Sequence, residues 1–361
     1  TNTNVGLIAT KGAGDSGAES EAKNSGTIVS NRTDKGIGIY ANAAKGNNIG
    51  TITMNNKNAV GMLGVLGSTL INTKEISLGG VSSAGMYGED SDLTNSTTAS
   101  EINVNKKESA GMYAKATATA TDKTSKNEGK IEIVADGTGK SAGMYSLIGS
   151  GKLTTENTGT IEVAQDESAG IFANNTGGQS EVLSSGLVKM TGIKSVGIIG
   201  KKSKITNSGT GAKGIEISGA GSAGILATDK SEVINSGRIE GNTALGLVGI
   251  SVDSNSTAKN SATTGTITMK TASSTGISST GGEVTNSGAI TLEKASSTGI
   301  SSLNGNVTNS SGATITAQEG SSVGIYAKIA GNDDRTVRND GTISLNTASP
   351  APSPAPEKSA A

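Results

Sequence analysis

Residues 109–114 read Ser-Ala-Gly-Met-Tyr-Ala and residues 157–163 read Asn-Thr-Gly-Thr-Ile-Glu-Val, and versions of these two segments alternate along most of the chain. Residue character alternates with a period of two in both segments, which indicates strands and not helices. In the second segment Ile161 and Val163 share one face, while Glu162 lies on the other. Each segment therefore predicts a short strand with one aliphatic face.

The first segment also predicts which residues face the core. By strict alternation Ala110, Met112 and Ala114 share one face, and Gly111 and Tyr113 lie on the other. The residue after the Gly is Ile, Leu or Met in every copy, so we expect it to point inward. One inward column is accordingly predicted to contain Ile39, Met112, Ile171, Ile198, Ile225, Ile277 and Ile325.

The first segment recurs from end to end of the chain. Its thirteen copies lie about 26 residues apart on average, a period typical of solenoid repeats. Their central glycines are Gly6, Gly38, Gly61, Gly85, Gly111, Gly143, Gly170, Gly197, Gly224, Gly246, Gly276, Gly299 and Gly324.

A unit of about 25 residues with only short strands cannot enclose a core, whereas stacked units turn each aliphatic row into a column. Val284 and Val307 add a further inward site, which gives two or three strands per repeat. Gly and Asn are expected at the corners, where Asn can form a ladder along the stack. The sequence therefore predicts an all-β fold, a right-handed, single-stranded parallel β-helix (solenoid) of about 13 coils.

Composition agrees with a thin, elongated core. The 361 residues include no Cys, His or Trp and only six aromatic residues, and the apolar fraction is 33%, against about 45–50% in an average globular chain. The 30 basic and 31 acidic residues are well mixed, which argues against nucleic acid as a partner. No apolar stretch is long enough to predict a membrane-inserted segment.

Two regions are predicted, a solenoid over residues 1–347 and an extended Pro/Ala/Ser-rich tail or linker over residues 348–361, which contains all four prolines. Residues 12–23, 115–127 and 251–264 lack the strand pattern and are predicted to be loops that protrude from corners. Because Val5-Gly6-Leu7 is already a copy of the repeat, we also expect further repeats upstream.

The Ser-Ala-Gly-Met-Tyr and Asn-x-Gly-x-Ile segments over residues 1 to about 347 resemble the repeats of large fusobacterial autotransporter (type V secretion) passengers. The resemblance implies a virulence-associated adhesin that binds a protein or glycan on other bacteria or host cells. It also implies a cell-surface or secreted location, with anchorage in the outer membrane through a downstream translocator barrel that this sequence lacks. No cofactor is implied.

Several local motifs have simpler explanations. Residues 219–224 satisfy the Gly-x-Gly-x-x-Gly fingerprint, and residues 139–141 end like a phosphate-binding loop, but both need a following helix that the repeat pattern does not predict. Glu89, Asp90 and Asp92 could bind calcium, although an exposed acidic turn is the simpler explanation; the same holds for Asp333 and Asp334.

Without His or Cys the chain cannot form Ser-His-Asp or Cys-His nucleophilic systems, so we do not expect an enzyme. Two alternatives to an adhesin stay open. One is a passive stalk that displays a distal binding tip, and the other is a polysaccharide-degrading β-helix enzyme with paired carboxylates.

All six aromatic residues, Tyr40, Tyr87, Tyr113, Tyr145, Phe172 and Tyr326, occur two positions after a repeat Gly. Four consecutive coils would therefore stack Tyr87, Tyr113, Tyr145 and Phe172 into an outward aromatic ladder, which is the predicted binding site. A purely structural stack, like cross-strand pairs in sheets, is the alternative.

Overall fold

The computed structural model describes residues 4–12, 19–31, 33, 35–117, 122–137, 139–330 and 334–346. Strands account for all of the regular secondary structure in these ranges. They are β1 (Asn4–Thr10), β2 (Glu21–Asn24), β3 (Thr27–Ser30), β4 (Gly36–Asn42), β5 (Lys45–Asn48), β6 (Thr51–Met54), β7 (Val60–Val65), β8 (Thr69–Asn72), β9 (Glu75–Leu78), β10 (Ala84–Glu89), β11 (Asp92–Asn95), β12 (Glu101–Val104), β13 (Ala110–Ala116), β14 (Lys123–Asn127), β15 (Lys130–Ile133), β16 (Ala142–Ile148), β17 (Lys152–Asn157), β18 (Thr160–Val163), β19 (Ala169–Asn175), β20 (Gln179–Ser184), β21 (Leu187–Met190), β22 (Val196–Lys201), β23 (Lys204–Asn207), β24 (Gly214–Ile217), β25 (Ala223–Thr228), β26 (Glu232–Asn235), β27 (Arg238–Gly241), β28 (Val248–Val252), β29 (Thr257–Asn260), β30 (Thr266–Met269), β31 (Thr275–Thr280), β32 (Glu283–Asn286), β33 (Ala289–Leu292), β34 (Thr298–Leu303), β35 (Val307–Asn309), β36 (Thr314–Ala317), β37 (Val323–Lys328), β38 (Val337–Asn339) and β39 (Thr342–Leu345).

Every third strand belongs to the same sheet, so the chain winds through three parallel sheets of thirteen strands each. We call them sheet A (β1, β4 and onward to β37), sheet B (β2 to β38) and sheet C (β3 to β39), and we number the coils 1 to 13 along the chain. The parallel β-helix and its coil number are confirmed, with three strands in each coil. The tail over residues 348–361 lies outside the described residues.

The core is a set of aliphatic columns that run along the stack. The column predicted after the repeat Gly is confirmed, and the residues that the prediction named are fully buried from Ile39 to Ile277. Ile325 is only partly buried, because no described coil covers coil 13. The complete column is Leu7, Ile39, Met62, Met86, Met112, Met144, Ile171, Ile198, Ile225, Ile250, Ile277, Ile300 and Ile325.

Strict alternation around the repeat Gly is wrong. A Cβ atom at Gly111 would lie 2.5 Å from Ile131 Cγ2 of sheet C and 2.7 Å from the carbonyl oxygen of Gly143, so this position faces the interior, as Met112 does. Ala110 instead lines an outer groove together with Tyr113. Two consecutive inward residues are possible because sheets A and C approach so closely here that only Gly fits at the first of them.

The sequence pattern also assigns the wrong repeat glycine to one coil. The register pairs Ile225 with Ile250, so the glycine of coil 10 is Gly249 and not Gly246. Gly246 lies three residues earlier in a turn with φ of 69°. The local sequence contains two overlapping copies of the motif, and only the pairing with coil 9 distinguishes them.

The three predicted loops each contain a strand of sheet B. β2, β14 and β29 fall within or across residues 12–23, 115–127 and 251–264. Their inward residues are small or polar, such as Ala22 in β2 and Ser125 in β14, so the aliphatic signal of a buried strand is absent from the sequence. Pairing with the coils on either side supplies the order that the residues themselves do not indicate.

Asn side chains form the expected ladders along the corner after sheet B. Each Nδ2 donates to the Oδ1 of the next coil at 2.7–2.9 Å, and all but the last of these bonds are buried. The first ladder contains Asn24, Asn48, Asn72, Asn95, Asn127 and Asn157, and the second contains Asn207, Asn235, Asn260, Asn286, Asn309 and Asn339.

Ser184 occupies the position between the two ladders, paired with Asn157 on one side and Asn207 on the other. Within the described residues Ser184 Oγ and Asn207 Oδ1 are buried without a hydrogen-bond partner. We expect Ser184→Asn to join the ladders and to raise the free energy of unfolding by about 0.5–1.5 kcal/mol for each hydrogen bond gained. Urea unfolding measures the change.

Ser185→Asn is the control, because Ser185 follows directly and is only partly buried. This control should leave the unfolding midpoint where it is. An unchanged midpoint for Ser184→Asn would mean that ordered water already satisfies the two buried atoms.

Candidate functional site

The four predicted aromatic residues lie side by side on the outer surface of sheet A. Tyr87, Tyr113, Tyr145 and Phe172 are paired in register across coils 4 to 7. Their ring centroids are 5.0, 4.8 and 5.1 Å apart, and the ring planes meet at 85°, 90° and 80°. The rings therefore form a continuous edge-to-face stack, an arrangement that aromatic pairs prefer. The predicted ladder and its outward direction are confirmed; a binding role stays a prediction.

The aromatic row continues as an aliphatic row on both sides of the stack. Coils 1 to 9 all place an apolar side chain at this position, and coils 10 to 12 place Ser there. Sequence reasoning missed the aliphatic members because it followed aromatic residues only. The apolar members are Ile8, Tyr40, Leu63, Tyr87, Tyr113, Tyr145, Phe172, Ile199 and Leu226.

A second apolar row runs beside the first, three residues earlier in each coil. It consists of small side chains in the middle of the stack and changes to Thr at coils 11 and 12. Its apolar members in coils 1 to 10 are Val5, Ile37, Val60, Ala84, Ala110, Ala142, Ala169, Val196, Ala223 and Val248. We call the two rows over these coils the apolar strip; coil 13, beyond the Ser and Thr positions, again has Val323 and Tyr326.

The central part of the apolar strip is concave. Small Ala side chains lie between the tall aromatic rings and the corner before sheet A, and this leaves a groove of about 540 Å³. Ala84, Ala110 and Ala142 form its floor, the rings form one wall, and Glu108 and Lys140 lie along the opposite wall. The site is thus an apolar trough with a charged rim.

A column of buried Ser residues fixes that rim. In successive coils each Ser hydroxyl accepts a hydrogen bond from a backbone N–H of the preceding coil at 3.0–3.3 Å. The residue before each Ser is therefore held at a regular spacing on the outside of the corner. The Ser residues are Ser83, Ser109, Ser141, Ser168, Ser195 and Ser222.

Two phenols of the stack, Tyr87 and Tyr113, have raised pKa values. Burial raises the pKa of Tyr113, with smaller contributions from the neighbouring phenols of Tyr145 and Tyr87. Burial also raises the pKa of Tyr87, and the Glu89 carboxylate, 3.5 Å from its hydroxyl, adds to the shift. Lys115 Nζ lies 2.9 Å from that carboxylate. Tyr87 and Tyr113 therefore add no phenolate charge to the trough near neutral pH.

The acidic residues considered for calcium contact separate partners. Glu89 pairs with Lys115, Asp92 accepts the backbone N–H of Thr124 at 2.8 Å, and Asp90 accepts the backbone N–H of Thr117 at 2.7 Å. No group of three acidic side chains that could hold a metal ion occurs in the described ranges, from which Asp333 is missing.

The two glycine motifs belong to the solenoid. Residues 139–141 lead into β16, and Gly224 is the repeat glycine of β25. A strand follows each motif, where nucleotide binding needs the amino terminus of a helix. The described residues also contain no helix long and apolar enough to cross a membrane.

Comparison with known proteins adds no relative. No family model, no curated protein and no solved structure matches this chain.

Proposed function

We propose that this chain is part of the passenger of a bacterial surface adhesin, delivered by type V secretion, and that the apolar strip is its binding surface. The observation that carries the proposal is the trough itself. Apolar strips rimmed by polar residues are typical of interaction sites, and aromatic residues are enriched among the residues that dominate binding energy. The proposed partner is a protein or glycan on another bacterium or a host cell.

The charged side chains support binding in preference to hydrolysis. On sheet C, Lys130 Nζ lies 2.7 Å from Glu132 and 3.0 Å from Glu162. Arg238 likewise lies between Glu216 and Glu240 of neighbouring coils. These carboxylates are engaged in ion pairs along the stack, whereas a polysaccharide-cleaving site needs two carboxylates that face a sugar in a cleft.

A passive stalk is the second candidate, because the Asn and Ser columns make a rod of connected coils. At about 4.8 Å per coil the thirteen coils extend about 60 Å. A stalk needs no exposed apolar strip, however, and coils 11 and 12 have Ser and Thr at both of its positions although the rod continues. This difference along one rod favours a dedicated surface over uniform spacing.

Replacing Tyr113 and Tyr145 with Ser tests the proposal, because the double change removes all three ring contacts. Each contact contributes about 0.5–1.5 kcal/mol, so we expect slightly earlier melting with the fold retained. Adherence of protein-coated beads to bacterial and epithelial cells should fall by at least about tenfold, as expected for residues that dominate binding.

The control is Tyr326→Ser, which removes a tyrosine at the equivalent position of coil 13, beyond the apolar strip. This variant should adhere normally. If beads with the Tyr113 and Tyr145 variant adhere as well as wild type while the protein melts earlier, the stack is structural and the proposal is wrong. Release of reducing ends from polysaccharides by the wild type would instead support the enzyme.

A further inference from the structure

We propose that the occupant of the apolar strip is a second copy of this chain, packed antiparallel, with a twofold axis that passes between coils 6 and 7. The inference rests on the proposed function and specifies its partner: attachment would be homotypic, between copies on two cells. Two features of sheet A carry it: the extent of the apolar strip and the charge order along its rim.

The surface is large enough for a specific contact between two copies. Coils 4 to 9 span about 29 Å along the solenoid axis. Across sheet A, the eight positions from the rim to the opposite edge, such as 108 to 115 in coil 5, span about 26 Å. The product is roughly 750 Å² on each copy, close to the roughly 800 Å² per partner of a standard protein interface.

The rim charges alternate in sign from coil to coil. The residues before the buried Ser column are Glu108, Lys140, Glu167 and Lys194 in coils 5 to 8, and all four are exposed. No ion pair joins these four side chains to one another, and each belongs to the part of the chain that the structure describes. The rim therefore presents an ordered series of charges to a partner.

An antiparallel twofold between coils 6 and 7 brings coil 5 opposite coil 8 and coil 6 opposite coil 7. Glu108 then faces Lys194 of the second copy, and Lys140 faces Glu167. Because a twofold interface repeats each contact, the dimer gains four opposite-charge contacts along this rim. Complementary charges of this kind select the partner and fix its register.

If the two copies packed parallel, with the twofold axis along the solenoid, fewer opposite charges would face each other. This arrangement would bring the rim opposite the other edge of sheet A at the same height, so Glu108 would face Lys115, but Lys194 would face Lys201. The antiparallel pair also brings Lys115 opposite Lys201, yet the charge of Lys115 is already compensated by Glu89 at 2.9 Å. The order of charges thus favours the antiparallel pair.

The same axis brings the outer row of one copy against the outer row of the other, so apolar side chains meet along the strip. The aromatic half of the strip in one copy lies opposite the aliphatic half in the other, so Tyr113 faces Ile199 and Tyr87 faces Leu226. Tyr145 and Phe172 meet at the centre. Two long solenoids attached to facing cells approach from opposite directions, which is the arrangement that an antiparallel pair requires.

Charge exchange tests the inference. In Lys140→Glu and in Glu167→Lys, both central contacts of a homodimer become like-charge contacts, so each variant alone should self-associate at least about tenfold more weakly than wild type. A mixture of the two variants restores opposite charges in both contacts and should recover wild-type affinity. The double variant should also recover it. Sedimentation equilibrium and clumping of two-colour coated beads measure association.

Both residues are exposed, so circular dichroism and the unfolding midpoint should stay at wild-type values and exclude misfolding as the cause. The inference is wrong if the wild type stays monomeric at the highest concentration tested, or if the mixture associates no better than the single variants. Adherence to cells that depends on Tyr113 and Tyr145, without self-association, would leave the proposed function intact and overturn this partner alone.

Discussion

Ile198→Asp is expected to open the solenoid in its middle. Ile198 lies fully buried in the inward column of sheet A, between Ile171 and Ile225. The change removes about 1.5–3 kcal/mol of apolar burial and places an unpaired carboxylate in a column that offers no polar partner. We expect loss of most strand signal in circular dichroism, and faster hydrogen exchange first at the coils that contain these two neighbours.

Ile199→Asp is the matched control, since Ile199 is the next residue along β22 but belongs to the outer apolar strip. The control should keep the strand signal and unfold near the wild-type midpoint, while it weakens self-association. Equal damage from the two changes would contradict the assignment of inward and outward positions.

Gly143→Val is expected to have the second-largest effect. A Cβ atom at Gly143 would lie 2.5 Å from Ile161 Cγ2 and 2.7 Å from the carbonyl oxygen of Gly170. One of these neighbours is backbone of the next strand of sheet A, so relief requires the paired strands β16 and β19 to shift as well as the Ile161 side chain of sheet C. Overpacking typically costs about 1–3 kcal/mol, and two added methyl groups place this change at the upper end. Thermal unfolding measures the loss.

Gly320→Val provides the comparison, because a Cβ atom there meets nothing within 4 Å and the residue is exposed. Its unfolding midpoint should change little. If Gly143→Val unfolds at the same temperature as wild type, the close approach of sheets A and C does not explain the repeat glycine.

The outer row of the apolar strip and the inward column of sheet A differ in the residue types that they contain along the chain. The inward column keeps an aliphatic residue in every coil from 1 to 13. The outer row changes from Leu226 in coil 9 to Ser251 in coil 10 with no change in the sheet that carries it. Coils 10 to 12 therefore keep the fold with Ser at the outer position, and this difference between core and surface supports the proposed binding role of the apolar strip.

The sequence by itself determined the fold class, the number of coils, the inward column and the direction of the aromatic ladder. Each of these features follows from a regular spacing in the sequence. Residue character alternates every two residues within a strand, and equivalent positions recur about every 26 residues from coil to coil. Ile198 and Phe172 could be assigned to opposite faces from their distance to the preceding glycine. The Asn ladder followed in the same way from its position in the second segment.

Other assignments depend on which residues pair between neighbouring coils. Because the coils differ in length, only the tertiary structure decided these assignments. It showed that Ala110 faces out and Gly111 in, that Gly249 belongs to the repeat, and that β14 is a strand. It also showed that the positions three residues before the repeat glycine, which include Lys140 and Glu167, are exposed and lie along one corner of the stack. Corner segments of different length separate these residues in sequence, and the hydrogen bonds between neighbouring coils, which are long-range contacts, bring them back into columns.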